Sequence, residues 1–470
     1  MISVNKLPDE VLLEIFEHYL LDDDPDEFIK RFTESWQLLV HVCRRWRHLV
    51  FGSPCRLNLR LFCSPTTTWD KLDIWPELPL VFDGSISPSN VDNTLAVVKR
   101  HNRVSGIDLH HSIAKVEKVW AAMQIPFPEL TILRLSWNGP EDELPILPDS
   151  FLGGSAPRLR ELFLRAVNFP GLPKLILSAT NLTKIRLINI TYVSPETMVT
   201  CLSALTSLKY LHLEFLYRPR PEESRHPPLS TRSILPALTH IQFEGTGEYL
   251  VDLGARIDVP RLKVLCISPF DPVDFALPQL AQFISRTPIF NTLNEARVIF
   301  YNDYVRLDLL SPTFGFEAPK IQLSCAEPDR QFLTLAQIRT LFPPLLSTLN
   351  DLFICEFYQF SCLGFESLHL SNNQWLELLR PFITVQSLYV SREFVPGITA
   401  ALQELVGERI SEVLPSLKNL FLEELERRGP IEESIRLFVA ARQLSNHPIV
   451  VSLWTKAADE DWDTNSDWRM

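Results

Sequence analysis

A short hydrophobic element, L-x-x-L-x-L, recurs along most of the 470-residue chain and constrains its fold more than any other feature. In each copy the last two apolar residues alternate with polar ones, which is typical of a short strand with one buried face. Clear copies begin at positions 104, 130, 159, 182, 208, 238, 262, 365, 385 and 417. Weaker candidates in the one long gap begin at Leu293, Ile321 and Leu349.

The spacing of these copies resembles that of leucine-rich repeats, in which strand-plus-helix units bury their apolar faces only against neighbouring units. Apolar residues at helical spacing occupy several of the intervening segments, namely 90–100, 195–205, 278–285, 375–379 and 398–414. The asparagine typical of the repeat occurs only at Asn138 and Asn373. We therefore predict an irregular solenoid of roughly a dozen repeats over residues 53–455.

Further elements are predicted at both ends of this array. Leu57, Leu59 and Leu61 alternate as in a strand, and 78–82 is predicted to be an edge strand because Pro79 cannot donate to a central ladder. An amphipathic helix over 431–444 and a strand over 449–454 are expected to cap the other end.

The first fifty residues have a different pattern. Leu7-Pro8-Asp9-Glu10 is typical of a helix start, because proline fits the first turn and carboxylates stabilise the positive end of the helix dipole. Apolar residues then recur every three or four positions up to Leu20. After an acidic connector, a second amphipathic helix is predicted from near Glu34 until Gly52. Two short helices cannot cover both stripes, so a partner surface is implied.

The segments LPDEVLLEIF, beginning at Leu7, and VCRRWR, beginning at Val42, resemble the F-box. The resemblance implies an all-α domain over 1–52 that docks on the Skp-family adaptor of an SCF (Skp, cullin, F-box) ubiquitin ligase. The implied fold class is α/β, a short all-α F-box followed by an irregular leucine-rich-repeat solenoid, as in F-box proteins of mushroom-type (basidiomycete) fungi. The residues expected to contact the adaptor, or to shape the contact surface, are Leu7, Pro8, Val11, Leu12, Ile15, Phe16, Val42, Cys43, Trp46 and Leu49.

Two alternatives stay open for this segment. Each predicted contact residue could instead pack the helices together, since groove-binding and core helices share the same spacing. Adaptor binding requires the stripes around Phe16 and Trp46 to be left partly uncovered. The cluster of Arg44, Arg45 and Arg47 is interpreted as cations near a helix carboxyl end and not as a phosphate site.

Composition excludes several classes of protein. A formal net charge of −12 disfavours nucleic acid as a partner. Glycine is scarce at 15 residues, whereas nucleotide-binding folds use glycine at their phosphate turns. Eight cysteines without a CxxC pair indicate a reducing compartment. Because no long apolar stretch and no signal-like start occur, we expect no membrane contact and a cytoplasmic or nuclear location.

No motif for catalysis or cofactor binding was found in the sequence. The Gly245–Leu250 segment lacks the third glycine of a dinucleotide turn and an amphipathic helix after it. His110-His111 has no cysteine or carboxylate partner at metal-ligand spacing, so no metal and no cofactor are predicted. Cys355 and Cys362 are interpreted as core residues. A third hypothesis is a hydrolase hidden between Leu293 and Leu349.

The leading hypothesis is therefore a non-catalytic, substrate-recognition subunit of a ubiquitin ligase. The F-box would bind the adaptor, and through it a cullin, while the repeat array would bind an unknown protein client, with the concave strand face as the default surface. The alternative is a non-degradative protein-interaction scaffold. The proline-rich segment 217–232 is predicted to be an exposed loop and the acidic tail 456–470 to be disordered.

Overall fold

The computed structural model describes fifteen stretches of the chain: 7–21, 35–64, 72, 75–87, 89–111, 117–140, 144–215, 232–269, 282–301, 305–311, 320–325, 346–356, 370–405, 407–423 and 430–455. These residues fall into two compact units, Met1–Tyr217 and Arg218–Met470. Five predictions lie outside the described residues: those for the acidic connector, almost all of the 217–232 loop, the repeat copy beginning at 365, Cys362 and the tail 456–470.

Three helices open the first unit: α1 (Asp9–Leu21), α2 (Ser35–Val42) and α3 (Arg44–Gly52). The prediction of one continuous second helix is wrong, because the backbone at Cys43 is extended, with φ −159° and ψ 170°. The Cys43 thiol accepts a hydrogen bond from the Trp46 amide, 3.5 Å from nitrogen to sulfur, and so caps α3. A side chain that satisfies a free amide at a helix start favours a break at that residue.

A parallel sheet of seven strands in sequence order follows in the first unit. The strands are β1 (Leu61–Cys63), β2 (Leu80–Ile86), β3 (Val104–His111), β4 (Ile132–Trp137), β5 (Glu161–Arg165), β6 (Lys184–Ile190) and β7 (Tyr210–Phe215). The helices between them are α4 (Val91–Val98), α5 (Glu117–Ala122), α6 (Leu172–Ser178) and α7 (Pro195–Ser203).

The leucines of the repeat lie in register across this sheet. One row pairs Ile107, Leu133, Leu162, Ile185 and Leu211 across successive strands, and all five side chains are buried. Because each strand can bury its apolar face only beside its neighbours, this row forms a continuous core against the return helices. The strand-plus-helix repeat predicted from the sequence is therefore present in this unit.

The start of the sheet differs from the prediction. β2 is not an edge strand, since it pairs with both β1 and β3. Pro79 lies just before β2, where its missing N–H is not required, and its carbonyl accepts from the Leu61 amide at 2.8 Å. Leu57 and Leu59 are buried, but the strand itself begins at Leu61.

In the second unit, the described residues form nine strands of one sheet and a separate two-stranded pair. The sheet contains β9 (His240–Gly245), β11 (Val264–Pro269), β12 (Glu295–Phe300), β13 (Val305–Leu310), β14 (Lys320–Cys325), β15 (Asp351–Glu356), β16 (Ser387–Val390), β17 (Asn419–Glu423) and β18 (Val450–Trp454). The pair consists of β8 (Ser233–Ile234) and β10 (Ile257–Asp258).

One strand of this sheet runs against the others. The spatial order is β9-β11-β14-β13-β12-β15-β16-β17-β18, and β13 is antiparallel to both of its neighbours. Weak repeat copies were predicted in this part of the chain, at Leu293, Ile321 and Leu349, but β13 was not. A short alternating segment such as Val305–Leu310 fits a parallel or an antiparallel strand equally, so only its tertiary partners set its direction.

The helices of the second unit are α8 (Gly247–Arg256), α9 (Asn372–Leu379), α10 (Val395–Gln403) and α11 (Pro430–Leu444). The expectation that no amphipathic helix follows Gly245 is wrong, because α8 buries Tyr249, Leu250 and Leu253 on one side. The helix predicted over 398–414 ends at Gln403 and is followed by a 3-10 turn at Gly407–Ser411. The predicted final helix and strand are both present as α11 and β18.

Candidate functional site

Helix α1 carries two apolar faces, which separates the predicted adaptor residues into two groups. Leu12, Leu13 and Phe16 face the interior, and Phe16 is only 1% exposed. Val11 and Ile15 lie on the other side, and Ile15 is 47% exposed. Tyr19 follows Ile15 at the same four-residue spacing and is also exposed. We call Val11, Ile15 and Tyr19 the outer stripe of α1.

The other predicted adaptor residues vary in exposure. Pro8 and Val42 are exposed, Val42 at 58%, whereas Leu7, Cys43, Trp46 and Leu49 are half-buried. The Phe16 ring itself is covered, whereas the apolar stripes around Phe16 and Trp46 stay partly uncovered, at Val11 and Ile15 and at Trp46. The Phe16 ring lies under the Trp46 indole, with the ring centroids 4.7 Å apart, whereas Trp46 itself keeps part of its surface in solvent.

Two ion pairs join α1 to residues in α3 and just after it. The Arg45 guanidinium contacts the Asp9 carboxylate at 2.5 Å and also donates to the Leu7 carbonyl. Near the other end of α1, Arg56 lies 3.3 Å from the Glu17 carboxylate. These exposed pairs each contribute little free energy, but they fix which side of α1 faces inward.

The interpretation of the arginine cluster is confirmed for one residue. Arg47 donates from Nε to the carbonyl of Val40, 3.0 Å away, in the last turn of α2. A cation in that place satisfies a free carbonyl and stabilises the negative end of the helix. Arg45 instead lies at the start of α3, where the carboxylate of Asp9 offsets its unfavourable position.

The outward face of the first unit's sheet is lined with charged side chains. Between the buried repeat leucines, Asp108, Arg134 and Glu161 occupy neighbouring strands, and Arg134 lies 2.9 Å from Glu161 and 3.6 Å from Asp108. Lys184 extends this row at 4.0 Å from Glu161. Such a row of alternating charge favours a polar partner over an apolar one.

Three potential metal ligands lie together at one end of this row. Asp83 on β2 is paired in register with Asp108 on β3, and His110 is two residues further along β3 on the same face. One ligand atom from each of the three residues lies within 4.8 Å of the other two. The prediction that the histidine pair has no carboxylate partner is therefore wrong for His110, because Asp108 on the same strand lies 3.3 Å from its Nε2 and the strand ladder adds Asp83 from β2.

His111 has a different role. Its ring is buried between the indoles of Trp120 and Trp137, at centroid distances of 5.2 and 5.1 Å. Burial lowers the pKa of His111 to about 4, which keeps it neutral near pH 7. Of the two adjacent histidines, one is therefore a core residue and one lies on the charged face.

The outward face of the second unit carries a row of aromatic rings. Phe353, Tyr389 and Phe421 stack in parallel across β15, β16 and β17, with centroid distances of 4.1 and 4.4 Å. Trp454 meets Phe353 and Tyr389 edge-on, and the Arg297 guanidinium lies 5.5 Å from the centre of the Phe353 ring. All four aromatic side chains keep part of their surface in solvent. We call these four side chains the aromatic row.

The aromatic row was not predicted, although its signal is visible in the sequence. Phe353, Tyr389 and Phe421 each stand between the two core residues of a repeat copy, in D-L-F-I, S-L-Y-V and N-L-F-L. In the sheet, Phe353 pairs in register with Tyr389, and Tyr389 pairs in register with Phe421. Aligning the copies by their leucines would have placed the three rings on one face. The predicted core residue Cys355 is buried, as expected.

Comparisons with known proteins add little to the description above. No protein-family model matches the sequence, and no curated protein matches it. Among solved structures, the chain is similar to the leucine-rich repeat-containing protein LegL7 from Legionella pneumophila, with a TM-score of 0.25 and 12% sequence identity. That alignment covers 80% of this chain and 97% of the other. The description of a leucine-rich-repeat-like array therefore rests on the strand register given above.

Among the helices that the structure describes, none is both long enough and apolar enough to cross a lipid bilayer.

Proposed function

We propose that this protein is a substrate-recognition subunit of an SCF-type ubiquitin ligase, in which α1–α3 bind a Skp-family adaptor and the repeat array binds a protein client. The observation that carries this proposal is the outer stripe of α1. Val11, Ile15 and Tyr19 are exposed although the opposite face of the same helix is fully covered by its own chain. Large apolar side chains at helical spacing in solvent favour docking into the groove of a partner.

Residues outside the outer stripe support the same proposal. Val42 at the end of α2 and Pro8 at the start of α1 are exposed and belong to the segments that resemble the F-box. Leu12 and Phe16 are buried, so in this proposal they shape the surface and do not contact the adaptor. The contact residues would be Pro8, Val11, Ile15 and Val42, together with the exposed part of Trp46.

The aromatic row supports the second half of the proposal. Stacked rings on rigid strands present contact area with little loss of side-chain entropy, and aromatic residues are enriched at the centres of protein interfaces.

In this proposal the protein catalyses no reaction itself and only brings the client close to the transferring enzyme. Holding a client lysine beside a ubiquitin thioester raises the effective concentration of the lysine, which accelerates transfer by that enzyme.

A pull-down of the full chain with a purified Skp-family adaptor tests the first half. We expect the Ile15→Asp, Val42→Asp double variant to lose binding by at least about tenfold, because two apolar contacts are replaced by desolvated charges. The matched control is Leu177→Asp, a charge introduced at a residue that is 44% exposed on α6, and it should bind like wild type. Equal recovery of the double variant and wild type would refute adaptor binding through this surface.

A second measurement, of client half-lives, distinguishes the ubiquitin-ligase subunit from a non-degradative scaffold. If the protein delivers clients for degradation, deleting residues 1–52 should lengthen the half-life of the proteins that the array retains. If retained proteins keep the same half-life with and without the helices, the non-degradative scaffold is correct.

A further inference from the structure

The side chains of Asp83, Asp108 and His110 have the spacing of ligands to a single metal ion. Nε2 of His110 and Oδ1 of Asp108 are 3.3 Å apart. Two ligand atoms bound to one tetrahedral Zn²⁺ at about 2.0–2.1 Å lie about 3.3–3.4 Å from each other. One ligand atom from each of Asp83, Asp108 and His110 lies within 4.8 Å of the other two, so a small side-chain movement would bring a carboxylate oxygen of Asp83 into the set.

The histidine is oriented by a neighbour in the way that metal-bound histidines usually are. Nδ1 of His110 forms a hydrogen bond with the Ser136 hydroxyl on β4, the next strand. A partner on one ring nitrogen fixes the ring and directs the other nitrogen, here Nε2, toward the carboxylates. Three adjacent strands of a rigid sheet therefore hold the ligands and their support.

The charges around this cluster favour a cation. Arg134 faces the second oxygen of Asp108 at 3.6 Å, but it lies closer to Glu161, at 2.9 Å, so its charge is shared. Asp83 and Asp108 therefore place two carboxylates side by side, with one shared guanidinium near Asp108. A divalent cation bound to both carboxylates would offset this negative charge.

The cluster is also accessible. The Asp108 side chain is buried, but the side chain of His110 is 36% exposed, so an ion can enter from solvent and keep water ligands. Imidazole with two carboxylates matches the ligand preference of Zn²⁺ and similar first-row ions.

We propose that Asp83, Asp108 and His110 form a binding site for one divalent transition-metal ion, with Zn²⁺ as the best-matched ion. The site lies on the outward sheet face of the first unit, on strands β2 and β3. It involves none of the residues proposed to bind the adaptor, so either proposal can fail without the other.

The test is titration of the tag-free, chelator-treated full chain with Co²⁺, followed by competition with Zn²⁺. We expect wild type to bind one equivalent with visible cobalt absorption that Zn²⁺ abolishes. Asp83→Asn and His110→Gln should each weaken this binding by about tenfold or more, because each removes one ligand. Ser136→Ala should weaken it less while leaving the same number of sites, as expected for a positioning residue.

Matched controls and a readout of folding accompany the titration. Asp92→Asn on α4 and His48→Gln on α3 remove exposed groups of the same chemistry and should leave the titration unchanged. Zn²⁺ should raise the Tm of wild type and both controls, but not that of His110→Gln. Circular dichroism in the presence of chelator should show the same fold for every variant. Equal cobalt affinity in wild type, Asp83→Asn and His110→Gln, or affinity in wild type no tighter than millimolar, would overturn the proposal.

Discussion

Phe16 and Trp46 form one aromatic contact, with centroids 4.7 Å apart and ring planes inclined at 60°, and this contact joins α1 to α3. The neighbouring residue Ile15 points to the other side of α1 and makes none of this core. Two adjacent residues of one helix therefore differ in what they can contact. Phe16 packs against the other helices and stabilises their fold, whereas Ile15 is exposed and available to a partner.

Phe16→Ala should destabilise the helical segment by about 3–5 kcal/mol, because it leaves a cavity beneath the Trp46 indole. Ile15→Ala should change stability by about 0.5 kcal/mol or less, since its side chain is half in solvent. Hydrogen exchange of peptides that cover α1–α3, measured by mass spectrometry, reports this difference. Faster exchange in both variants, or in neither, would show that the two faces of α1 are assigned incorrectly.

Arg442→Met should destabilise the second unit by roughly 2–3 kcal/mol. The fully buried Arg442 guanidinium on α11 donates to the carbonyls of Ile410, Leu414 and Leu417, at 3.1–3.2 Å, so the variant leaves several buried acceptors unsatisfied. Methionine preserves most of the side-chain volume, which limits the loss to these hydrogen bonds. The free energy of unfolding in urea measures the effect.

Arg409→Met is the control for Arg442. Arg409 is exposed and pairs with the exposed Glu412, so its loss should cost about 0.5 kcal/mol or less. An equal loss of stability in the two variants would mean that the buried hydrogen bonds of Arg442 contribute nothing beyond a surface ion pair.

His212 should make the stability of the first unit fall as the pH is lowered from 6.5 toward 5. The ring is 3% exposed on β7, and burial, with a smaller contribution from Arg186, lowers its pKa from 6.5 to about 3. Between these two values the unfolded chain binds a proton that the folded chain excludes, so stability is lost as the pH falls. The loss between pH 6.5 and pH 5 should reach about 2 kcal/mol.

His212→Phe removes this titration and should reduce the pH dependence over the same interval. The measurement is the Tm of wild type and variant at several values of pH, with all other groups unchanged between the two chains. A variant with the same slope as wild type would show that His212 is protonated in the folded state as readily as in the unfolded state.

A Tyr389→Ser, Phe421→Ser variant should lose client capture while keeping adaptor binding, because it removes two adjacent rings of the aromatic row. Proximity labelling with the proteasome inhibited, compared with wild type, measures the loss as a drop in recovered proteins. The control is Leu437→Ser, which is exposed on α11 and outside the aromatic row. Unchanged labelling in the double variant would exclude the aromatic row as the client surface.

The core of the array was predictable because its signal is local and repeated. The copies at Leu133, Leu162 and Ile185 fall at strand positions and pair in register, since the same three-residue spacing sets the same inward direction in every unit. The break at Cys43 was not predictable from periodicity. The apolar stripe continues through Cys43, so the spacing gives no sign that one helix ends there and another begins. The break is seen only in the structure, where the Cys43 thiol caps the start of α3.

The sequence by itself determined that this chain folds into an opening helical segment and a long series of strand-plus-helix repeats, because hydrophobic spacing is a property of neighbours along the chain. The tertiary structure decided which side chains meet. In the folded chain β13 runs antiparallel to its neighbours. His110 lies beside two carboxylates, whereas His111 lies between two indoles. On α1, Ile15 is exposed and Phe16 is buried. Contacts between strands and burial by distant segments depend on register and packing, which no spacing along the sequence specifies.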